Sequence, residues 1–492
     1  MGHIFRDAGI KKEVIDIMEK EEVKKIKEWM NTEEYKEKNF NRQAIVINPE
    51  RACQPLGAVL CAVGFENTMS FVHGSHGCVA YYRNNLSRHF REPLAAVSTS
   101  LTEDGAVFGG QANAFEGFKN AADLYKPKMF AISTTCMSEI IGDDLGSIVA
   151  NAREKGRLAE DILAPYANTP SFVGSQLEGY DNMLNAIIEG IAKKPEAGME
   201  KTDVINIIPG FDTTLGNINE IKRILKIFGA KFLVLADYSN TLDYPLNGEY
   251  KMYPEGATKL EDVKTCANNK ATIALQRYST KKTVATLSEK LGQDARVVKS
   301  PIGINYTDDF LMTVSEISRL EIPKELEDER GKAIDCMTDA QQYIHGKKFA
   351  VFGDPDLLVG LVSYLLEMGG IPKYVLCSNG NEEFKKEIED LFENYSASEG
   401  EVYIDKDLWH LRSLLMTDKA DMLIGPSHGK FAARDAGIPH IRVGYPIFDR
   451  VNIHRYPLYG YTGVINLTTW IVNKFLDILD DTSDDAHFEL LR

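Results

Sequence analysis

The sequence predicts an α/β protein in which mostly parallel sheets are flanked by helices. The stretch "VINIIPGFDTTLGNINEIKRILKIFGAKFLVLADYS" gives strand, glycine loop, helix, glycine stop and strand. The stretch "KKFAVFGDPDLLVGLVSYLLEMGGIPKYVLCSNG" follows the same order. Strands that alternate with helices in this way form parallel sheets with helices on both faces. Because 492 residues exceed what one core holds, we expect three Rossmann-like domains behind an N-terminal helical arm.

The predicted segments are separated by changes in composition. Residues 1–43 are rich in lysine and glutamate with spaced apolar residues, which predicts a helical arm. Residues 44–203 form a first α/β domain, with strands predicted at "KPKMFAIST" and "TPSFVGS" and one helix over "CMSEIIGDDLGSIVANARE". Residues 204–345 form a second α/β domain, with later strands at "ATIAL" and "TVATL". Residues 346–492 form the third.

The composition is that of a folded globular protein and excludes several classes of function. Hydrophobic residues make up 44% of the chain and charged residues 26%, which is ordinary. The formal net charge of -16 argues against a general nucleic-acid binder, which would carry a basic excess. No apolar run approaches the roughly 20 residues that span a bilayer, and the charged N-terminus lacks the apolar core of a secretion signal. We therefore expect a cytoplasmic protein that binds neither nucleic acid nor membrane.

Three of the seven cysteines are predicted to lie at helix starts. Cys53 precedes Pro55 in "RACQPLGAVL", Cys78 ends the glycine turn "HGSHGC", and Cys136 ends the predicted strand "MFAISTTC". At a helix start, free N–H groups and the helix dipole favour negative charge and lower a thiol pKa. Thiolates are the ligands of iron–sulfur clusters. Nearby glycines, which give a bulky inorganic group room to approach, stand at positions 57, 64, 74 and 77.

Packing is the alternative explanation for these cysteines. Free cysteine is among the most buried residue types and often only fills a core. Packing is favoured for Cys61, which lies inside the apolar stretch "LGAVLCAVG". For the three cysteines at helix starts, packing and metal ligation both remain open. Three protein ligands are too few for most clusters, so ligation requires further ligands, for example from another chain. The remaining cysteines, to which no role is assigned, are Cys266, Cys336 and Cys377.

Several long segments around these cysteines form the most specific pattern in the chain. They are "ACQPLGAVLCAVGF", "VHGSHGCVAYYRNNLSRHFREP", "TEDGAVFGGQANAFEG", "STTCMSEIIGDDL" and "TPSFVGS". The pattern continues in "INIIPGFDTTLGN", "GDPDLLVG" and "KDLWHLRSLLMTDKADMLIG". With these segments the chain closely resembles the beta subunits of nitrogenase molybdenum-iron proteins. The resemblance covers nearly the whole chain and is weakest in the N-terminal arm.

The resemblance implies that this chain holds half of an 8Fe-7S cluster, the P-cluster. The family's beta-subunit ligands fall on Cys53, Cys78 and Cys136, with Cys78 as the thiolate that bridges the two cluster halves. Three further cysteines come from an alpha subunit, and two alpha and two beta subunits form a heterotetramer. Ser171 matches a serine that can join an iron when the cluster is oxidised, whereas its residue type alone predicts a turn or cap residue.

The resemblance also implies an electron relay between proteins. A separate iron protein docks, hydrolyses ATP and delivers electrons, which pass through the P-cluster to the iron-molybdenum cofactor in the alpha subunit for reduction of dinitrogen to ammonia. Phe108 in "AVFGGQ" matches a surface phenylalanine at the docking site of the iron protein. From its residue type alone, Phe108 would be a core aromatic. This chain is then expected to hold no substrate site and no catalytic residue.

A mononuclear cation site is the last feature that the resemblance implies. Asp335 and Asp339 are four residues apart in a predicted helix, so both carboxylates share one face. Such a pair is usually a solvated surface. In the family, the matching aspartates bind calcium or iron between beta subunits, together with the carbonyl of Arg91 and the carboxylate of Glu92 from the other beta chain.

Other functions remain as alternatives. A related cofactor-assembly scaffold would depart from the set of three cysteines and a serine, and that set is present here. The beta subunit of a vanadium or iron-only nitrogenase is a second alternative, and a cluster-free α/β binding or sensor protein is a third. His73 and His89 are expected to have structural or hydrogen-bonding roles, while His428 and His440 are placed in loops. His76 stands where the family commonly has glutamine, and it could alter the redox potential of the cluster.

Overall fold

Three parallel sheets form the framework of the chain. The computed structural model describes residues 20–45, 47, 50–196 and 198–484. The first sheet has the order β2-β1-β3-β4, with β1 at Thr68–His73, β2 at Ala96–Ser98, β3 at Met129–Thr134 and β4 at Tyr166–Ala167. The second has the order β6-β5-β7-β8, with β5 at Val204–Ile208, β6 at Lys231–Val234, β7 at Ala271–Ala274 and β8 at Ala295–Val297. The third has the order β11-β10-β9-β12-β13, with β9 at Lys348–Phe352, β10 at Ile371–Cys377, β11 at Glu401–Ile404, β12 at Met422–Gly425 and β13 at His440–Arg442.

Nineteen α-helices in the described residues connect and cover these strands. The helices that precede strand β5 are α1 Lys20–Trp29, α2 Glu33–Phe40, α3 Gln54–Val63, α4 His76–Phe90, α5 Glu103–Phe108, α6 Gln111–Tyr125, α7 Cys136–Ile141, α8 Leu145–Glu154 and α9 Gln176–Ile191. The others are α10 Leu215–Phe228, α11 Leu260–Thr265, α12 Lys281–Ala285, α13 Gly303–Ser318, α14 Lys324–Ile344, α15 Pro355–Glu367, α16 Glu382–Asn394, α17 Leu408–Thr417, α18 Lys430–Ala436 and α19 Gly460–Thr482.

The predicted α/β class is confirmed, because every strand pair in the described sheets is parallel. Strands β1 and β3 are buried along their whole length, as expected for a parallel sheet covered on both faces. They pair in register, with Val72 opposite Ser133. Since β2 lies on the far side of β1, the strand order reverses between β1 and β3. Open α/β sheets bind ligands at the carboxyl ends of the strands beside such a switch point.

One predicted helix is two helices in the structure. The helix expected over "CMSEIIGDDLGSIVANARE" breaks between α7 and α8. Gly142 ends α7 with a φ of 80°, in the left-handed region that glycine adopts at no steric cost. Asp144 then caps α8 by accepting a hydrogen bond from the N–H of Gly146.

Two predicted strands are wrong. The segment "TVATL" is helical, because the carboxylate of Asp181 accepts hydrogen bonds from the N–H groups of Lys282 and Thr283 and so caps α12. The segment "TPSFVGS" is a loop in which the N–H of Val173 donates to the carbonyl of Pro170. The strand of that region is the two-residue β4 just before it.

The N-terminal helices of the described residues pack on the last part of this same chain. Helix α2 lies against α17, where the side chain of Asn39 donates to the carbonyl of Trp409. Just after α2, Arg42 forms an ion pair of 2.7 Å with the fully buried carboxylate of Asp407. The arm is therefore held by the third sheet's helices.

The division of the chain at residues 43, 203 and 345 stays a prediction. The strands of the three sheets fall within the last three predicted segments, but one continuous hydrophobic core includes side chains from all of them. The C-terminal helix α19 also packs against α13 and α14, which belong to the second segment. No helix in the described part of the chain is both long and apolar enough to cross a membrane.

Candidate metal centre

Two of the three predicted cysteine ligands lie at neighbouring strand ends beside the switch point. Strand β1 ends at His73, and Cys78 is the third residue of the helix α4 that follows. Strand β3 is followed by Thr135, the N-cap of α7, and Cys136 is the first residue of that helix. The predicted positions at helix starts are therefore confirmed for both cysteines.

Cys53 comes from a different element, the helix α3. It is the N-cap of α3, and Pro55 occupies the second helical position. Helix α3 packs closely on α9, since a Cβ atom on Gly57 would lie 1.8 Å from the carbonyl oxygen of Gln176. The side chain of Gln176 also accepts a hydrogen bond of 2.7 Å from the N–H of Ala52. These contacts fix the backbone on which Cys53 sits.

The three thiols are close enough for their charges to interact. Burial is the main cause that raises the pKa of Cys78, and charge on Cys53 or Cys136 raises it further. A hydrogen bond with Tyr82, one turn along α4, opposes part of this rise. The expectation that the helix start lowers the pKa is therefore wrong for Cys78, because burial and like charges outweigh the helix dipole. Metal cations would remove this repulsion by binding the thiolates.

The donor set fits a cluster of several irons better than a single ion. In the described ranges, no group of three or more His, Cys, Asp or Glu side chains is arranged to hold one metal ion. The thiolates of a multi-iron cluster bind different irons and need not converge on one point. All three sulfurs belong to half-buried residues, so one side of the group is open to further ligands. The residues present therefore fit one half of a shared iron–sulfur cluster.

Ser171 lies directly beside the Cys53 helix start. Its Oγ accepts a hydrogen bond of 3.1 Å from the N–H of Gln54, the first residue of α3. Cys53 makes no such side-chain cap itself, so Ser171 supplies it. Ser171 is half-buried, and the following Phe172 and Val173 are exposed. The structure thus brings Ser171 to the cysteine group and gives it the capping role that its residue type suggests.

Most glycines near the cysteines allow the protein to pack against itself. Gly57 contacts α9, and a Cβ on Gly64 would lie 2.4 Å from a backbone carbon of another segment. A Cβ on Gly74 would lie 1.9 Å from the hydroxyl of Thr135. At Gly77 the nearest atom is 3.7 Å away. The expectation that all four make room for an inorganic group is therefore wrong for the first three and stays a prediction for Gly77.

Phe108 lies on the surface and is 85% exposed. It is the last residue of the short helix α5, and Val107 beside it is also exposed. The core position that its residue type suggests is therefore wrong. Gly109, with a φ of 88°, turns the chain directly after it. Phe108 and Val107 are thus consecutive exposed apolar side chains, of the kind that marks interaction sites.

The four residues predicted to bind a mononuclear cation do not meet within one chain. Arg91 ends α4 with a φ of 63°, and the next residue is Glu92, whose pKa is raised chiefly by burial. Asp335 and Asp339 are exposed on α14. Among the residues that the structure describes, no hydrogen bond or ion pair joins the first pair to the second. A site made from all four requires two copies of the chain.

Asp143 is a site residue that sequence reasoning missed. Its carboxylate accepts hydrogen bonds from the N–H of Gly110 at 3.0 and 3.1 Å. It also lies 2.7 Å from Nε2 of His73. The available signal was the acidic pair that follows Gly142 in "IGDDL". The partner of that pair, Asp144, is a helix cap, so residue type alone could not separate the two roles.

The remaining histidines and cysteines have structural surroundings. As expected, His89 is a hydrogen-bonding residue, since its Nε2 donates to the carbonyl of Thr213 while its Nδ1 accepts from Ile447. The expectation of a loop is wrong for His440, which begins β13. The cysteines with buried side chains are Cys61, Cys266 and Cys377, and Cys336 is half-buried.

Comparison with known proteins identifies the relatives of this chain. The family described as nitrogenase component 1 type oxidoreductase matches residues 53–476. The nitrogenase molybdenum-iron protein beta chain of Nostoc sp. is 48% identical over 478 residues, which cover 96% of this chain and 93% of that protein. The beta chain of the same name from Azotobacter vinelandii is 45% identical over 471 residues, which cover 94% of this chain and 90% of that protein.

Solved structures agree with the sequence comparison. A chain in the structure "Nitrogenase Cp1 at pH 6.5" has a TM-score of 0.89 and 39% identity, over 92% of this chain and 98% of its own length. A chain in "Nitrogenase Cp1 at pH 5", with a TM-score of 0.66 and 17% identity over 90% and 92% of the two chains, shares the fold. The chain therefore belongs to the nitrogenase component 1 type oxidoreductase family, and its matched relatives within that family are beta chains.

Proposed function

We propose that this chain is the beta subunit of a nitrogenase molybdenum-iron protein and holds half of the P-cluster. The observation that supports this most directly is the grouping of Cys53, Cys78 and Cys136. These residues come from three separate helix starts, are half-buried, and interact electrostatically. Cys61, by contrast, is fully buried, and the half-buried Cys336 has no other cysteine among the groups that act on its charge.

The three thiolates are the proposed iron ligands of this chain. Cys78 is the proposed bridging ligand, as the resemblance to the family's beta subunits implies. Ser171 is the proposed oxygen ligand of the oxidised state, since its hydroxyl lies at the start of the Cys53 helix. When bound, the P-cluster supplies electron transfer from the iron protein to the iron-molybdenum cofactor in the alpha subunit, where dinitrogen is reduced to ammonia.

The alpha subunit is the proposed source of the missing ligands. The half-buried cysteines lie in a surface with exposed apolar side chains such as Phe172, Val173 and Ile140, which a partner would cover. Covering them would also exclude water from the cluster. Two such pairs form the proposed heterotetramer. The iron protein is the proposed transient partner at Phe108, and ATP hydrolysis belongs to that protein.

A cation between two copies of the chain is the proposed link between the halves of the heterotetramer. The carbonyl of Arg91 and the carboxylate of Glu92 come from one beta chain, and Asp335 and Asp339 come from the other. Four oxygen donors of this kind suit a hard cation such as calcium, and iron is the other candidate. The exposure of the two aspartates leaves them free to reach a second copy.

The experiment that tests this function is anaerobic co-purification with the alpha chain. Iron and molybdenum are then determined, and electron paramagnetic resonance is recorded on the oxidised protein. We expect a stable complex with molybdenum, a P-cluster signal and acetylene reduction when the iron protein and MgATP are added. A complex with clusters but no reduction activity would indicate an assembly scaffold, and vanadium in place of molybdenum would indicate the vanadium type. A chain that purifies without iron would contradict the proposal.

A further inference from the structure

We propose that Asp143 is a positioning residue that connects the surface segment carrying Phe108 to the cysteine-bearing strand ends. The proposal rests on the function given above, because it takes Phe108 as the docking residue and Cys78 and Cys136 as cluster ligands. It adds a residue that is neither a proposed ligand nor the proposed docking residue, and that acts through its contacts with both segments.

On the surface side, Asp143 holds the chain just after Phe108. Both of its carboxylate oxygens accept from the N–H of Gly110, at 3.0 and 3.1 Å. Gly110 is the N-cap of α6, so the carboxylate also lies at the positive end of that helix. Phe108 is two residues away. The position of the exposed phenylalanine therefore depends on the position of this carboxylate.

On the cluster side, Asp143 holds the end of strand β1 through His73. The Nε2 of His73 lies 2.7 Å from the second carboxylate oxygen, and both side chains are largely buried. Burial lowers the pKa of His73, so the ring is neutral and donates its Nε2–H to the carboxylate. The other ring nitrogen, Nδ1, is buried and has no hydrogen-bond partner in the described part of the chain. The carboxylate of Asp143 is thus the hydrogen-bond partner of the His73 ring.

The backbone of His73 extends the connection to the Cys136 turn. Its carbonyl accepts hydrogen bonds from the N–H of Thr135 at 3.0 Å and from the hydroxyl of Ser138 at 2.8 Å. Thr135 immediately precedes Cys136. A shift of His73 therefore moves the turn that carries one cysteine, while Cys78 follows five residues later in the same chain segment.

The surface segment is attached at its other end as well. The N–H of Leu101 donates to the carbonyl of Gly74 at 3.0 Å, in the turn between β1 and Cys78. Between the two attachments lies α5, which has six residues and is too short to be stable alone. A displacement of Phe108 on docking is therefore transmitted to both cysteine turns, through the hydrogen bonds at Gly74 and at Asp143. Docking and the geometry of the cluster ligands are coupled by these contacts.

The test uses the anaerobic complex of this chain with its alpha subunit, together with the iron protein and MgATP. The apparent KM for the iron protein and kcat are measured in acetylene reduction for the unchanged complex, Phe108→Ala, Asp143→Asn and the double variant. We expect each single variant to raise the KM several-fold and to change kcat little. The double variant should raise it no further than Phe108→Ala alone, because both changes act on one contact. Asp143→Asn should also change the paramagnetic signal of the oxidised P-cluster, whereas Phe108→Ala should not.

The control is Asp123→Asn, which removes a carboxylate from an exposed position on α6 and should alter neither quantity. If Asp143→Asn does not assemble, Gly110→Ala provides the same test. Its Cβ would lie 2.5 Å from a carboxylate oxygen of Asp143 and 2.6 Å from the ring of His73, so it must separate the pair while keeping the charge.

Two results would overturn the inference. One is an Asp143→Asn complex that behaves like Asp123→Asn, and the other is a double variant whose KM is the product of two independent effects. Absence of a P-cluster signal in the unchanged complex, or a Phe108→Ala complex with an unaltered KM, would instead contradict the proposed function.

Discussion

The hydroxyl of Ser171 accepts a hydrogen bond of 3.1 Å from the backbone N–H of Gln54, the residue that follows Cys53. A loop 117 positions away in the chain thus caps the helix that carries the first cysteine. The same hydroxyl serves the fold through this cap and is also the proposed oxygen ligand of the oxidised cluster. The two roles can be separated by substitution.

Ser171→Ala removes both the cap and the proposed oxygen ligand. Loss of an N-cap hydrogen bond costs about 1 kcal/mol of stability, so the melting temperature of the anaerobic complex should fall slightly while the resting P-cluster signal stays. The signal of the oxidised state should change. Ser171→Thr, which keeps a hydroxyl, is the matched variant and should retain both properties. An oxidised-state spectrum that is identical in the alanine variant would rule out serine ligation.

Cys78→Ala should abolish the P-cluster signals and acetylene reduction. Cys78 is the third residue of α4, and the N-cap of that helix is Ser75, so the helix does not depend on the thiol for its start and far-ultraviolet circular dichroism should be nearly unchanged. Iron analysis and paramagnetic resonance of the co-purified complex are the measurements.

Cys61→Ala is the matched control for that experiment. Cys61 is fully buried in α3, seven residues before strand β1 begins. Large-to-small changes in a core typically cost about 1 kcal/mol or more of stability, but the cluster should remain. If cluster signals survive in Cys78→Ala, or disappear equally in both variants, the ligand assignment is wrong.

The double change Asp335→Asn and Asp339→Asn should weaken the contact between the two halves of the proposed heterotetramer. Both side chains are exposed on α14, so the fold of the chain itself should change by less than about 0.5 kcal/mol. Analytical ultracentrifugation should show single alpha–beta pairs at protein concentrations where the unchanged complex is a heterotetramer. Asp328→Asn, also exposed on α14, is the control. Equal sedimentation of both variants and the unchanged complex would exclude the cation site.

The half-buried Asp354 predicts a pH dependence of stability. Burial raises its pKa from 3.8 to about 7, so the folded state keeps a proton that the unfolded chain loses. The resulting stabilisation is full below about pH 4 and is lost as the pH rises toward about 7, with a slope of up to about 1.4 kcal/mol per pH unit. Asp354→Asn should reduce this slope in thermal unfolding between those pH values, and the exposed Asp123→Asn should leave it unchanged. An unaltered slope in Asp354→Asn would show that Asp354 is ionised throughout.

His76→Gln tests the one departure from the family pattern beside a proposed ligand. His76 is exposed and begins α4, two residues before Cys78, so stability should change by less than about 0.5 kcal/mol. A different hydrogen-bond donor near the sulfur should shift the midpoint potential of the P-cluster. A redox titration followed by paramagnetic resonance measures the shift, and equal midpoints would assign His76 no role in tuning.

The parallel sheets and the cysteine positions could be predicted because both depend on local sequence. Apolar stretches such as Met129–Thr134 are long enough for a buried strand and are followed by helix-starting residues such as Thr135. The position of Cys136 then follows directly. What such patterns cannot give is the contact made from far away in the chain, such as the cap that Ser171 provides for the Cys53 helix.

The wrong predictions also have physical causes, and these lie outside the local sequence pattern. "TVATL" has the β-branched composition of a strand, but Asp181, about a hundred positions earlier, caps it as a helix. The surface position of Phe108 depends on the turn at Gly109. We expected Gly57, Gly64 and Gly74 to make room for a ligand, whereas in the structure they allow two segments of the chain to pack closely. The role of Asp143 required knowing that His73 and Gly110 face each other in space.

The packing of α19 against α14 has a consequence for the order in which the protein folds during synthesis. Residues 460–482 cover helices that were synthesised well over a hundred positions earlier, and domains form as the chain emerges from the ribosome, beginning with the N-terminal part. The side of α14 that contacts α19 therefore stays uncovered until residues 460–482 have been synthesised. Since the same helix carries Asp335 and Asp339, the proposed pairing of two copies through these aspartates requires that α19 has been made and has packed on α14.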